Sequence, residues 1–197
     1  MTIDFAIERE IRFAVVMYGG VSLAIYINGV AQELLKLSSA TAHDPRQPTA
    51  PLYPTPAGTT LTYRTLAALL SMPAADLDAV EQRLKVNPDA SWQSLGVPNT
   101  VSAKFVIDTI SGTSAGGING IYLGKALANN QSMDQLQQMW IQEGDMAKLI
   151  NDKHSLSGAP GLPPCDPPVS LLNGLRMYRR LVEALDTMDG PDRKSVV

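Results

Sequence analysis

The sequence predicts an α/β fold built on a mostly parallel sheet flanked by helices. Three observations carry this. Residues 11–18 ("IRFAVVMY") and 104–110 ("KFVIDTI") are apolar, β-branched and aromatic runs of strand length. Each run ends in glycines and passes directly into a helical pattern, the first half of a βαβ unit. A chain of 197 residues with 45% hydrophobic content can bury a full core, and one domain over residues 1–197 is expected.

Before the first run, "MTIDFAIERE" holds Asp4, Glu8 and Glu10. A secretory signal needs a positive start followed by an apolar stretch, the opposite order. No run approaches the roughly 20 apolar residues of a membrane span. We therefore expect a cytoplasmic protein. The net charge of −3 supplies no basic footprint for nucleic acid, but a lipid surface can still be met through apolar patches. Cys165 is the single cysteine, so an internal disulfide is excluded.

After Gly19-Gly20, the residues Leu23, Ile27, Val30, Leu34 and Leu37 recur at alternating steps of four and three, one face of a helix. Pro45, Pro48, Pro51 and Pro54 then fall every third residue, the repeat of a polyproline II segment, which reads as a semi-rigid spacer or an SH3-type ligand. Residues 59–63 offer a weak third strand. Two helical stretches follow, broken at Pro73; in the second, Leu77, Val80 and Leu84 share a face and Glu81 precedes Lys85 by four. Residues 41–100 thus read as an insertion between core elements, placed to cover the site.

Beyond the second strand, residues 115–128 read as helix. Ser132 with Gln135 resembles a capping box for a helix carrying Leu136, Met139 and Trp140. Residues 151–168 read as loop, and a last helix from about residue 170 aligns Leu171, Leu175, Tyr178, Val182 and Leu185. Five or so helices against two convincing strands is an imbalance, because a two-stranded parallel sheet cannot stand alone. The expectation is that the fold is incomplete here and that the chain is the front part of a longer protein.

The chemistry points to residues 112–117, "GTSAGG". Gly112-x-Ser114-x-Gly116 between strand and helix is the pattern of a nucleophile elbow. A serine at such an apex adopts a strained backbone, and its neighbours must lack bulk where strand and helix nearly touch. The helix N-terminus beneath the hydroxyl favours alkoxide character. The plain alternatives are a tightly packed turn, or amides that bind phosphate. Acyl transfer also needs donors aimed at a developing oxyanion. The amides of Gly19, Gly20 and Val21, at the end of the first strand, are the candidates.

Together the two loops resemble those of the patatin-like phospholipases. Gly112-Thr113-Ser114-Ala115-Gly116-Gly117 matches the family's elbow residue for residue, while Gly19-Gly20-Val21-Ser22-Leu23-Ala24 stands where the family has G-G-G-x-R-G, with Gly29-Val30 in register behind it. The wording "GGVSLA…NGV" looks most like the large bacterial patatin-related proteins. The resemblance covers residues 10–38 and 104–128 well, and 130–190 loosely. It implies a three-layer α/β/α fold and hydrolysis of lipid esters, at a membrane surface for some substrates, with no metal or organic cofactor. It also implies a Ser-Asp dyad: Ser114 attacks, and an aspartate in a D-G-G or D-G-A motif accepts its proton. Val21 replaces a glycine, Leu23 the arginine and Ala24 the last glycine; the arginine's charge is lost, whereas backbone donors survive such changes.

Asp189-Gly190 is the only Asp-Gly pair, followed by Pro191. Asp189 is a candidate base, against the plainer reading of an ordinary helix-ending turn residue; the expected base lies beyond Val197. Ser114 with Asp145 or Asp152 and His154 follows the chain order of an α/β-hydrolase triad, against a solvated loop histidine. Two readings from other classes stay open: a non-catalytic lipid- or protein-binding module, and a phosphate- or nucleotide-binding α/β domain.

Overall fold

A computed structural model describes residues 4–44, 46–91, 94–97, 100–163 and 168–189. Cys165, Gly190 and Pro191 lie outside the described residues, as does Pro45 of the proline series. In order, the elements are β1 (Asp4–Met17), α1 (Ala24–Ala40), β2 (His43–Asp44), β3 (Gln47–Pro51), α2 (Thr59–Leu70) and α3 (Ala74–Val86). They continue with β4 (Thr100–Gly112), α4 (Ala115–Asn129), α5 (Asp134–Glu143), α6 (Met146–Leu149) and α7 (Gly174–Met188), with 3-10 turns at Val21–Leu23 and Lys153–Leu156.

β1 and β4 form a two-stranded parallel sheet, so the chain is mixed α/β as expected. The direction is visible in two pairs at one offset. Arg12 meets Asp108, 96 residues on, and the Thr113 N–H donates to Met17 O across the same interval (113 − 17 = 96). Contacts gather into two compact units, Met1–Val15 with Glu33–Thr109, and Val16–Gln32 with Ile110–Val197. The chain passes from one to the other inside β1, α1 and β4.

In the first unit the core is Ala67, Ala68, Val101 and Phe105, with Ile7, Ile11, Phe13, Leu37 and Val97 packed against it. Phe13 and Phe105 meet tilted, ring centroids 6.2 Å apart. β1 is covered on one side only: Arg12, Ala14 and Val16 alternate outward. Residues 59–63 are helix, not strand. They open α2, where Thr65 Oγ1 can donate back to Leu61 O and the Arg64 guanidinium reaches Ala40 O. Over the described part of the proline series the expectation is likewise corrected: β2 pairs antiparallel with β3 rather than forming a polyproline II run. α3 begins after Pro73 at its N-cap, and Lys85 pairs with Glu81 at 2.7 Å as the spacing predicts.

In the second unit, Tyr122, Leu123, Ala126, Met133, Leu136, Met139 and Trp140 are buried. The capping box at Ser132 is not formed; Met133 is the N-cap of α5, and Ser132 Oγ accepts from the Asp134 N–H instead. The face of α7 picked out by its apolar spacing turns outward at Leu175, Tyr178 and Val182. What α7 buries is Arg176, Ala184 and Met188. Among the described residues no helix is long and apolar enough to cross a membrane.

Candidate active site

The ends of β1 and β4, the loop after each, and the first turns of α1 and α4 all belong to the second unit. β4 ends at Gly112, α4 begins at Ala115, and two residues make the turn between them. Ser114 holds φ 51° and ψ −126°; among described non-glycine residues only Asn130, a left-handed helix cap, shares a positive φ. Such backbone costs about 1–3 kcal/mol and persists only where its surroundings enforce it. Here the turn is held on both sides: the Thr113 N–H donates to Met17 O at 3.1 Å, and the Gly116 N–H to Thr113 O at 2.9 Å. Ser114 is exposed and stands at the N-cap of α4, yet its side chain makes no capping bond. Its hydroxyl is therefore left at the positive end of a 15-residue helix.

The glycines are there because the two loops touch. A Cβ on Gly19 would lie 2.0 Å from Thr113 O and 2.6 Å from Ser114 Cβ. One on Gly116 would lie 2.1 Å from Met17 O. A Cβ on Gly112 would meet the Gly116 carbonyl at 2.5 Å. No side chain fits at these distances. Gly20 is different: an added Cβ meets only Leu23, at 3.7 Å. The glycine pair thus lies against the serine turn, where a nucleophile and oxyanion donors must lie. Of the three candidate amides, the Gly19 N–H donates to Thr113 Oγ1 at 3.2 Å. Gly20 and Val21 open the 3-10 turn, in which the Leu23 N–H donates back to Gly20 O.

Behind the loops is a polar cluster that periodicity gives no means of finding. Asn119 and Asn28 are 0% and 1% exposed. Asn28 Nδ2 donates to Asn119 Oδ1, and Asn119 Nδ2 donates to the carbonyls of Ala115 and Ala24. The helical stripe predicted for α1 is correspondingly shifted. Its buried face here is Ala24, Ile27, Asn28 and Ala31, with Leu23 and Val30 left exposed, because small residues let the backbone come within reach of Asn119.

Asp189 does not join the site. It caps α7, and its Oδ1 pairs with Lys125 at 2.9 Å and accepts from Gln131 Nε2 at 3.0 Å. Lys125 is eleven residues along α4 from Ser114 (125 − 114 = 11), about 16 Å at helical rise, so Asp189 sits at the other end of that helix and is corrected as a base. The acids of the rival triad have other partners. Asp145 caps α6 through the Ala147 N–H. Asp152 accepts from the backbone of His154 and Ser155, and His154 is exposed.

Comparison with known proteins gives one relationship of sequence. Over 147 residues the chain is 29% identical to the uncharacterized membrane protein Rv3479 of Mycobacterium tuberculosis, an alignment covering 75% of this chain and 11% of that protein. The chain thus spans about a ninth of that relative's length. No family model matches, and no solved structure matches.

Proposed function

We propose that the second unit carries the nucleophile and oxyanion loop of a serine acyl hydrolase that acts on lipid esters, as its resemblance to the patatin-like phospholipases implies. The observation that carries this reading is the strained, exposed backbone of Ser114 at a helix N-terminus, tight against the Gly19-Gly20 loop. A turn kept only for packing has no need of a serine in a left-handed conformation.

Ser114 Oγ attacks the ester carbonyl carbon and gives its proton to a base. Negative charge gathers on the former carbonyl oxygen, facing the amides of Gly20 and Val21, since the Gly19 N–H is held by Thr113 Oγ1. Collapse expels the alcohol, which takes up a proton, and water then releases the acid from the acyl-enzyme. The base is an aspartate outside the described residues, in the D-G-G or D-G-A setting that the resemblance implies. Tyr18 and Leu23, exposed at 79% and 48% beside the loop, offer apolar surface to an acyl chain. This fits a cytoplasmic protein that meets membranes peripherally.

The test is hydrolysis of p-nitrophenyl butyrate and of phosphatidylcholine vesicles by the protein and by Ser114→Ala. Loss of at least about a thousandfold in kcat/KM is expected. Full activity in the variant would refute the assignment. One observation favours a second reading, a non-catalytic lipid- or protein-binding module: Asp189, the only aspartate in an Asp-Gly pair, is drawn to Lys125. Vesicle binding without turnover by the unaltered, full-length protein would decide for that reading.

A further inference from the structure

Asn28 and Asn119 lie in the apolar interior of the second unit, where an amide is costly unless its hydrogen-bonding groups are met. They are met in one arrangement. Asn119 Nδ2 faces two carbonyls, Ala115 O at 2.9 Å and Ala24 O at 3.3 Å. Asn119 Oδ1 accepts from Asn28 Nδ2 at 3.1 Å, and Asn28 Oδ1 accepts from Gln32 Nε2 at 2.9 Å. Gln32 thereby fixes which way Asn28 points, and Asn28 fixes Asn119.

The two carbonyls are not arbitrary. Ala115 follows Ser114 directly, and Ala24 is the first residue of α1, one turn beyond Gly19-Gly20. A single side chain grips the backbone just behind both loops. Apolar residues of similar volume would fill the space between the helices, but they would set neither the distance nor the register of those two segments.

We propose that Asn119, oriented by Asn28, is a positioning residue that holds the Ser114 turn in register with the Gly19-Gly20 loop. This rests on the serine hydrolase reading. It acts on the attack step and leaves substrate affinity alone.

Asn119→Ser and Asn28→Ser are compared with the unaltered protein in two measurements. The first is the rate of acylation by a fluorophosphonate, split into the maximal rate and the half-saturating concentration and expressed per folded molecule. The second is hydrogen exchange of residues 19–24 and 114–118, which needs no chemistry. The expected result is a maximal rate lower by about tenfold or more for Asn119→Ser, with the half-saturating concentration unchanged. Faster exchange confined to the two segments should accompany it, with the same pattern in smaller degree for Asn28→Ser. If Asn119→Ser fails to fold, the Asn28 variant carries the comparison. Unchanged acylation per folded molecule in Asn28→Ser and in any folded Asn119→Ser overturns the proposal. Loosened segments in a protein whose unaltered form is never acylated would refute the hydrolase reading, and the positioning role with it, while leaving the clasp as a structural feature.

Discussion

At Gly19 a missing side chain decides the geometry. An alanine there would place its Cβ 2.0 Å from Thr113 O, so either the turn or the end of β1 must move. Gly19→Ala is expected to destabilise the protein by about 1–3 kcal/mol and to abolish acylation of Ser114. Gly20→Ala, whose Cβ meets Leu23 at ordinary contact distance, should stay within about 0.5 kcal/mol. Denaturant midpoints at constant slope distinguish the two. Both glycines read alike in the sequence, which marks a flexible pair without saying which member touches its neighbour. Thr113 was legible only as a letter of the motif; its hydroxyl accepting from the Gly19 N–H depends on a contact 94 residues away in the chain.

Among the elements, α7 shows how periodicity misleads. Spacing singles out Leu175, Tyr178 and Val182, which face outward, and passes over Arg176, which is buried. Arg176 Nη2 pairs with Glu143 at 2.7 Å, and its Nη1 donates to Ser155 O and Ser157 O, so one guanidinium ties α5, α7 and the 3-10 turn together. Arg176→Leu leaves the Glu143 carboxylate with Arg180 alone, at 3.5 Å, and strands two carbonyls, and about 3–5 kcal/mol of stability should be lost, read by chemical denaturation. Glu143→Leu added to it should restore much of that loss. The hairpin supplies a pH dependence. Burial, with Lys104 nearby, holds His43 below its ordinary value, so the folded state disfavours the charged ring. Its contribution to stability is present above about pH 6.5 and is lost as pH falls through the lowered value. A melting-temperature profile against pH should therefore flatten on the acid side in His43→Gln. Neither effect is visible in the sequence, since a buried arginine and a shielded histidine look like any others.

On the scale of the whole molecule, the α/β class was legible because two apolar runs followed by glycines and helices admit few other folds. The two strands, the helix after each and the break at Pro73 follow from local rules and hold, although β1 begins at Asp4 and β4 at Thr100, ahead of the apolar runs. What failed depended on distant packing: residues 59–63 look β-branched but build a helix, and the proline repeat closes a hairpin. The first run is apolar at every position but Arg12, yet β1 leaves Arg12, Ala14 and Val16 exposed. An apolar run does not record how many of its sides are covered. The candidate site was legible in outline, because glycine, serine and a helix start are local signals. A base for Ser114 was not, because an acid's position relative to a serine is set by tertiary structure alone. All of it turns on whether Ser114 is a nucleophile. Treating the protein with a fluorophosphonate and mapping the adduct by peptide mass spectrometry asks that directly. The account predicts one phosphonyl group, on Ser114, and none in Ser114→Ala. A folded, full-length protein that remains unmodified, or carries the adduct on another residue, would contradict it.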